Sequence, residues 1–205
     1  AEQGGRIQRD SVQAIESQAE GYRLRGDRED YHCDQVVVAL GPWSNDLLGP
    51  FGVRFPMCYE RGYHQHFHPL GDATLSRPYF DVDASYVMTP TDKGMRITTG
   101  SELTERDDRP NPSQLTQVLP KAAQAFPLGD ACHSDVWCGS RPTLPDAIPV
   151  IGELPHHKGL WLAFGHQHIG FSTGPVTGRM IAEMMAGETA FVDPSPFSPE
   201  RFIRG

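Results

Sequence analysis

The sequence predicts an α+β fold, and three kinds of segment support this prediction. Two short apolar runs, Val36–Leu40 and Leu160–Phe164, are typical of buried strands. Between them, residues 79–101 alternate apolar and polar positions and are interrupted by turn residues, which predicts an antiparallel meander. Apolar residues at helical spacing after Pro112 and again after Thr173 predict helices that flank the sheet.

The composition limits the classes of function. A chain of 205 residues with 38% hydrophobic content can form one large domain or two small ones with a genuine core. The net charge of −8 excludes a nucleic-acid-binding role, because no basic patch is present to neutralise phosphates. The four cysteines form no C-x-x-C pair, so we expect a cytoplasmic protein, with attachment at the periphery of the inner membrane left open. No apolar run reaches the roughly 20 residues that a transmembrane helix needs.

The first third of the chain predicts strands. Gly5–Ala14 and Gly21–Cys33 are expected to form short antiparallel strands, with turns at Gly21 and at Gly26–Asp27. Val36–Leu40 is predicted to be a buried parallel strand, and the turn Gly41-Pro42-Trp43 that follows it leads into the start of a helix.

Three histidines then alternate along one strand, at positions 64, 66 and 68, and would share one face of it. Such a row suggests a metal site, but no carboxylate or cysteine completes a familiar ligand set. We therefore predict no metal and interpret these side chains as solvent-facing or pocket-lining.

The middle of the chain predicts the meander, one helix and a further strand. The meander should have three strands, Tyr79–Val82, Ser85–Thr89 and Met95–Gly100. Pro112–Phe126 has helical spacing, and Pro120 should kink or split that helix. Leu128–Cys138 should return as a strand that leads into Arg141.

The last third takes the buried strand Leu160–Phe164 through a polar loop of small residues into a helix, Thr173–Met185. One face of this helix should be apolar, with Val176, Met180, Ile181 and Met184. Gly187 should cap its carboxyl end. A loop of this kind brings backbone amides close to a ligand, and the start of the helix favours negative charge there.

The region 137–187 carries a family resemblance. The residues that carry it are Gly139, Arg141, Pro142, Pro145, Asp146, Pro149 and Gly152, followed by Gly165, His166, Gly170 and Gly174–Pro175. Together with Val36–Trp43 and Arg61–His64, they resemble the FAD-dependent D-amino acid oxidase and dehydrogenase superfamily, most closely the D-amino acid and hydroxyproline dehydrogenases. The resemblance covers most of the chain and is specific as a set.

The resemblance implies a flavin-dependent oxidoreductase that oxidises a D-amino acid or cyclic imino acid by hydride transfer to FAD. Residues 45–145 would form the substrate-binding domain, with the antiparallel sheet. Residues 1–44 and 146–205 would form a partial, Rossmann-like FAD-binding domain. The G-x-G-x-x-G unit that holds the FAD pyrophosphate in this family does not occur in the sequence. The chain is therefore expected to be part of a longer protein, or a module completed by a partner subunit that carries this unit.

The resemblance also assigns roles to particular residues. Arg141 is at the position of the arginine that clamps the substrate carboxylate, although a structural salt bridge is the alternative interpretation. Tyr86 would lie over the substrate or, equally, in the core, and His168 is a candidate contact to substrate or flavin. Gln167 replaces a glycine common in the dehydrogenases. The expected cofactor-binding residues are Gly41, Trp43, Gly139, Gly165, His166, Ile169, Gly170, Phe171, Ser172 and Thr173. We expect Arg141 and the start of the last helix to face a common cleft.

Overall fold

The computed structural model describes residues 4–203. The chain separates into two compact units, one made of the residues up to Met57 together with those from Pro142 onward, and one made of Cys58–Arg141. We call them unit 1 and unit 2. The assignment of a cofactor-binding part and a substrate-binding part to the sequence stays a prediction.

The strands and helices follow in chain order. The strands are β1 Val12–Ser17, β2 Tyr22–Gly26, β3 Asp30–Cys33, β4 Val36–Val38, β5 Cys58–Pro69, β6 Tyr79–Asp81, β7 Tyr86–Thr91, β8 Gly94–Leu103, β9 Leu128–Ala131, β10 Trp137–Thr143, β11 Val150–Glu153 and β12 Leu160–Phe164. The helices are α1 Ser44–Leu48, α2 Ser113–Ala125 and α3 Gly170–Met185. Within the described residues, no helix combines the length and apolar character that a bilayer crossing requires.

Unit 1 begins with an antiparallel meander of β1, β2 and β3, which confirms the strands and turns predicted for Gly21–Cys33. The first strand is Val12–Ser17, so the prediction of strand over Gly5–Ala14 is wrong before Val12. Gly21 is required at the first turn. Its φ is +70°, and an added Cβ would lie 2.3 Å from the carbonyl oxygen of Cys33. Only glycine accepts both the left-handed backbone and the close approach of the neighbouring strand.

The second sheet of unit 1 has the order β11-β12-β4. β11 and β12 form an antiparallel hairpin, and β4 lies parallel to β12, with Leu160 beside Val36. The prediction of a parallel strand at β4 is confirmed, but the prediction that Val36–Leu40 is buried is wrong. Val37 is 37% exposed and Leu40 42% exposed, because β4 is only three residues long and lies at the edge of the sheet.

The last helix, α3, begins at Gly170, about one turn earlier than predicted. Its buried residues are Thr177, Met180 and Ile181, and the latter two pack with Ile151 and Trp161 of the hairpin. The predicted apolar face is wrong at Val176, which is 50% exposed, because the helix packs through the neighbouring Thr177 instead. Gly187 adopts a φ of +72° and donates its N–H to Met184, so the predicted cap is confirmed.

Unit 2 is a sheet of order β10-β5-β8-β7-β6, with β9 paired to β5. The predicted meander is confirmed as β6, β7 and β8, which are antiparallel. The predicted strand Leu128–Cys138 is instead two strands, β9 and β10, because a polar segment interrupts it.

Helix α2 covers one face of this sheet and buries Leu115, Val118 and Ala122. Pro120 does not split it, which corrects that part of the prediction. Proline removes one backbone hydrogen bond, and burial of the apolar face on both sides of Pro120 offsets that loss.

Candidate functional site

Unit 1 contains a cavity of about 420 Å³ at the carboxyl ends of β4 and β12, beside the start of α3. Its lining is mainly apolar and rich in glycine: Val37, Ala39, Gly41, Pro142, Ala163, Phe164, Gly165, His166, Gln167, Gly170, Gly174, Thr177, Gly178 and Ile181. The carboxyl end of parallel strands is where open α/β sheets bind ligands.

Glycines leave helical backbone uncovered on the cavity side. Gly170, Gly174 and Gly178 are four residues apart, so they share one face of α3. A Cβ added at Gly174 or Gly178 would meet no other atom within 4 Å. A flat ligand can therefore approach the helix as closely as its backbone allows.

Two glycines shape the other wall. Gly41 has a φ of +55° at the end of β4, and Gly165 has a φ of +87° at the end of β12. A Cβ at Gly165 would lie 2.6 Å from Leu144, so the close packing of the loop depends on the missing side chain.

His166 is held inside unit 1. Its Nε2 and the hydroxyl of Thr177 lie 3.0 Å apart in a hydrogen bond. Burial lowers the pKa of His166 below its ordinary value, so the ring is neutral near pH 7. This histidine connects the loop to α3.

Gln167, the next residue, has an unusual conformation. Its φ is +51°, in the left-handed region that non-glycine residues rarely occupy. Its backbone N–H donates to the carbonyl of Pro142 at 3.2 Å. Its side-chain Nε2 is buried and has no hydrogen-bond acceptor in the described part of the chain. A glycine at this position would adopt the same backbone geometry at lower cost.

The structure brings together only some of the predicted cofactor residues. Gly41, Gly165, His166 and Gly170 line the cavity. Phe171 and Ser172 are exposed in the first turn of α3, and Trp43 is exposed after β4. Ile169 and Thr173 line a second, wholly apolar cavity of about 190 Å³.

Several lining residues were missed by the sequence analysis. Val37 and Ala39 were assigned to a buried strand, and Gln167 was treated only as a departure from the family pattern. The four-residue spacing of Gly170, Gly174 and Gly178 is a signal that would have identified the open face of α3.

In unit 2, Arg141 extends over the neighbouring strand β5. A Cβ placed on Gly62 would lie 2.5 and 2.6 Å from the two terminal nitrogens of the guanidinium. One of these nitrogens donates a hydrogen bond of 3.3 Å to the hydroxyl of Ser101, the residue paired with Gly62 across the sheet. This contact holds the guanidinium at one position without burying it.

Strand register shows which side chains share the face of Arg141. In β5, Gly62 and His64 alternate with Tyr63 and so point to the opposite face from it. The indole of Trp137 stacks on His64, with centroids 4.6 Å apart. We call this side of the sheet the clamp face and define it by Gly62, His64, His66, Trp137 and Arg141.

Tyr86 lies on the other face. Tyr86 and Met88 point to the same face of β7, and Met88 pairs with Ile97 of β8. The next residue of β8, Thr98, points to the opposite face and pairs with His64. Tyr86 is 1% exposed and belongs to the core under α2. Burial and the nearby Asp81 carboxylate raise its pKa to about 12. The prediction that Tyr86 contacts the substrate beside Arg141 is therefore corrected in favour of its core alternative.

That Gly139 contacts the cofactor stays a prediction, but its missing side chain has a structural reason within unit 2. A Cβ at this position would lie 2.1 Å from the indole of Trp137, so the chain's own side chain occupies the space above Gly139. The missing side chain of Gly139 admits that indole.

The histidines of β5 form an aromatic cluster. The rings of His64 and His66 meet edge to face at 5.2 Å. Burial, with the cations Arg96 and Lys93, lowers the pKa of His66, and burial, Arg96 and His66 lower the pKa of His64 to about 4. His68 is exposed. Among residues 4–203, no group of three potential ligands is placed to hold a metal ion.

Comparison with known proteins decides the family. The model of the family described as DAO, FAD dependent oxidoreductase, matches residues 1–184. The chain belongs to the DAO family of FAD-dependent oxidoreductases. A D-amino-acid oxidase of Bradyrhizobium diazoefficiens is 30% identical over 204 residues, covering 92% of this chain and 48% of that protein. A glycine oxidase of Pseudomonas aeruginosa is 31% identical, covering 84% of this chain and 47% of that protein.

Two solved oxidase structures have a similar fold. The glycine oxidase of Geobacillus kaustophilus superposes with a TM-score of 0.75 at 26% identity, over 96% of this chain and 52% of that one. The iminodiacetate oxidase of a Chelativorans species gives a TM-score of 0.74 at 26% identity, over 94% of this chain and 53% of that one. The chain thus spans about half the length of the relatives it matches.

Proposed function

We propose that this chain is part of a flavoenzyme that oxidises a D-amino acid or a cyclic imino acid, with FAD as the hydride acceptor. Membership of the DAO family supports the reaction class. The amino acid oxidases and dehydrogenases among the relatives support the substrate class. Four free cysteines support a cytoplasmic location.

The observation that carries the proposal is the arrangement of Arg141 above Gly62. A guanidinium donates two parallel hydrogen bonds to a carboxylate, which fixes the orientation of the bound amino acid. In unit 2 this side chain is held by one weak hydrogen bond to Ser101 and no carboxylate pairs with it among the described ion pairs. Its donors therefore suit a substrate carboxylate better than a structural salt bridge.

The cavity of unit 1 fits the flavin ring system. Its mainly apolar lining and the uncovered backbone at Gly174 and Gly178 suit a flat aromatic ligand. We assign the cavity wall to Gly41, Gly165, His166 and Gly170. When bound, FAD supplies the two-electron acceptor for oxidation at the substrate α-carbon.

The first turn of α3 has an electrostatic role in this proposal. Its backbone amides at Gly170, Phe171 and Ser172 carry the partial positive charge of a helix start, which stabilises negative charge on a reduced cofactor. His168, exposed two residues before α3, stays a candidate contact to substrate or flavin. That Arg141 and the start of α3 serve one cleft also stays a prediction.

Dye-linked oxidation tests the proposal. The product of the complete reading frame should be assayed over a panel of D-amino and imino acids, beside Arg141→Met. We expect a yellow protein whose turnover falls roughly ten- to a hundredfold in the variant, because a charge-assisted pair is worth roughly 1.5–3 kcal/mol and also orients the substrate. Equal turnover by both proteins would remove Arg141 from this role, and a colourless, inactive protein would overturn the proposal.

A second candidate is a module that becomes active only with a partner chain. The absence of G-x-G-x-x-G from the 205 residues favours it. The purified chain should then bind FAD weakly or not at all, and binding should appear when a polypeptide with a dinucleotide-binding unit is added. Tight FAD binding by the chain alone, seen as a flavin absorption band, would refute this alternative.

A further inference from the structure

The clamp face carries a second arginine besides Arg141. Arg96 of β8 pairs directly with His66 of β5, and directly opposed residues of an antiparallel pair point to the same side of the sheet. Arg96 is half-buried, and the ion pairs described among residues 4–203 involve neither Arg96 nor Arg141. One side of the sheet therefore presents two guanidinium groups that no described ion pair neutralises.

A cavity of about 640 Å³ in unit 2 adjoins this side of the sheet. It shares His64, His66 and Trp137 with the clamp face. His64 is two residues from Gly62, over which Arg141 extends, and this spacing is about 7 Å along β5. The indole of Trp137 is 54% exposed although it stacks on His64, so part of the ring is accessible to a ligand. The cavity thus lies beside the proposed carboxylate clamp and is large enough for an amino acid side chain.

The cations near this cavity create a positive potential. Burial, Arg96 and Lys93 are the main causes that lower the pKa of His66, and burial, Arg96, His66 and Lys93 lower the pKa of His64 to about 4. Both rings are therefore neutral near pH 7. The guanidinium of Arg96 must be near both rings to act on both of them.

The acidic side chains in the neighbourhood do not cancel this potential. Asp135 lines the cavity and is exposed, with its carboxylate accepting a hydrogen bond from Ser134. Asp92 acts on the pKa of His66 in the opposite direction to the cations, but it is the weakest of the contributions. The cavity therefore favours an anionic ligand group and disfavours a cationic one.

The two arginines are spaced for a ligand with two carboxylates. Arg141 extends over Gly62, and Arg96 is opposite His66, four residues further along β5, which is roughly 13 Å at about 3.3 Å per residue. The two long side chains cover part of this distance. A short dicarboxylic acid, with a hydrogen bond of about 2.8 Å to a guanidinium at each end, covers the rest.

We propose that Arg96 and the adjoining cavity form a second carboxylate subsite, so that the substrate is an amino or imino acid with an acidic side chain. This inference rests on the proposed function and names the substrate class within it. The α-carboxylate binds Arg141, the side-chain carboxylate binds Arg96, and the carbon chain between them packs against the indole of Trp137. Substrates with basic side chains are rejected, because the same cations repel them.

The test uses the flavin-loaded product of the complete reading frame and two isosteric substrates. D-Glutamate and D-glutamine differ in side-chain charge but hardly in shape, so the ratio of their kcat/KM values measures recognition of the charge. Arg96→Gln removes the cation and Arg96→Lys keeps it. The matched control is Arg109→Gln, which removes an exposed arginine next to Asp108, whose carbonyl is bound by Arg61 from the opposite face of the sheet.

We expect the parent to prefer D-glutamate over D-glutamine roughly tenfold in kcat/KM, the low end of a charge-assisted hydrogen bond, because the subsite is partly exposed. D-Lysine should be the poorest of the three substrates. Arg96→Gln should abolish the preference by raising the KM for D-glutamate and leave D-glutamine nearly unchanged. Arg96→Lys should keep part of the preference, and Arg109→Gln should match the parent.

Calorimetry with inert ligands measures the subsite without turnover. Glutarate carries two carboxylates and butyrate one, so the parent should bind glutarate roughly tenfold more tightly, and Arg96→Gln should bind both ligands alike. If Arg96→Gln does not fold, the parent's order of D-glutamate, D-glutamine and D-lysine tests the inference by itself.

The outcomes separate this inference from the proposed function. Equal kcat/KM values for D-glutamate and D-glutamine, or a preference that survives in Arg96→Gln, would overturn the subsite and leave the proposed function intact. A flavin-loaded parent that oxidises no amino or imino acid would overturn the proposed function, whereas glutarate binding that is lost in Arg96→Gln would still support the subsite.

Discussion

The guanidinium of Arg141 occupies the space that a side chain on Gly62 would need. A Cβ at residue 62 would lie 2.5 Å from one terminal nitrogen and 2.8 Å from the central carbon of the guanidinium, far closer than non-bonded atoms approach. The position of the guanidinium that we propose as the carboxylate clamp thus depends on the absence of a side chain at Gly62, on the neighbouring strand β5.

Gly62→Ala should therefore reduce carboxylate binding while the fold persists. The added methyl group must displace the flexible end of Arg141, which costs little stability but moves its two donors. We expect roughly tenfold weaker binding of a carboxylate substrate, seen in the Michaelis constant and in competition by a redox-inert amino acid analogue. Gly100→Ala is the matched control on β8, since an added Cβ there meets only Gln114, at 3.4 Å. Unchanged binding in Gly62→Ala would show that Arg141 does not hold the carboxylate from this position.

His64 should titrate far below an ordinary histidine. Burial, Arg96 and His66 lower its pKa from 6.5 to about 4. The folded state therefore binds this proton less readily than the unfolded state, so stability is unaffected above pH 6.5 and decreases as the pH falls from 6.5 towards 4. NMR of the imidazole C–H signals would measure the midpoint, and Trp137→Leu, which removes the stacked indole, should move it upward. A midpoint near 6.5 in the parent protein would contradict the buried, stacked arrangement.

Tyr63→Phe should destabilise unit 2. The hydroxyl of Tyr63 donates to Glu102, accepts from Arg61 at 2.9 Å, and accepts from the backbone N–H of Asn111 at 3.0 Å. Its removal leaves a buried guanidinium and a backbone amide short of one partner each. We expect a loss of about 1–3 kcal/mol in the free energy of unfolding, measured by denaturant titration.

The control for that measurement is Tyr79→Phe. Tyr79 is 41% exposed on β6, so removing its hydroxyl should change the free energy of unfolding by less than about 0.5 kcal/mol. Equal effects of the two substitutions would show that the network around Tyr63 is not coupled to folding.

Asp146→Asn should make unit 1 less stable at neutral pH and remove part of its acid sensitivity. Burial opposes ionisation of Asp146, but hydrogen bonds from Arg201 and from the N–H of Ile148 outweigh it and lower the pKa below 3.8. The stabilisation is present above the unfolded pKa and is lost as the pH falls through the folded one.

The expected loss is about 1 kcal/mol, because the carboxylate is partly exposed and the ion pair with Arg201 is screened. Thermal melts between pH 3 and pH 7 would measure it, with Asp83→Asn at an exposed turn as the control. Parallel melting curves for the Asp146→Asn and parent proteins across this range would contradict the assignment.

The sequence predicted the elements that local patterns determine. Leu160–Phe164 is buried and Gly187 caps α3 as expected, because apolar runs and capping residues act within a few positions. The exposure of Val37 and Leu40 was not predictable, since an edge strand and a central strand have the same apolar run until their neighbours are known. The start of α3 at Gly170 was missed because glycine usually weakens a helix.

The sequence also could not predict which side chains share a face of the sheet in unit 2. The register of β5 with β8 shifts between Gly62 and His64, and no local pattern in the sequence fixes that irregularity. Arg141 and Tyr86 were both placed at the substrate by family resemblance, and only the pairing of the strands separates them. The family resemblance singled out Gly139, but the sequence did not show that the indole of Trp137 packs against it.

The glycine-lined face of α3 has a consequence for how the molecule assembles. Three glycines and Pro175 within sixteen residues give this segment a poor tendency to be helical by itself, at about 1 kcal/mol for each glycine and 3 kcal/mol for the proline relative to alanine. The hairpin of β11 and β12 must therefore be in place before the segment winds against it. In native-state hydrogen exchange, the amides of its first two turns should lose protection well before those of the hairpin, and a bound ring system on that face should slow them most.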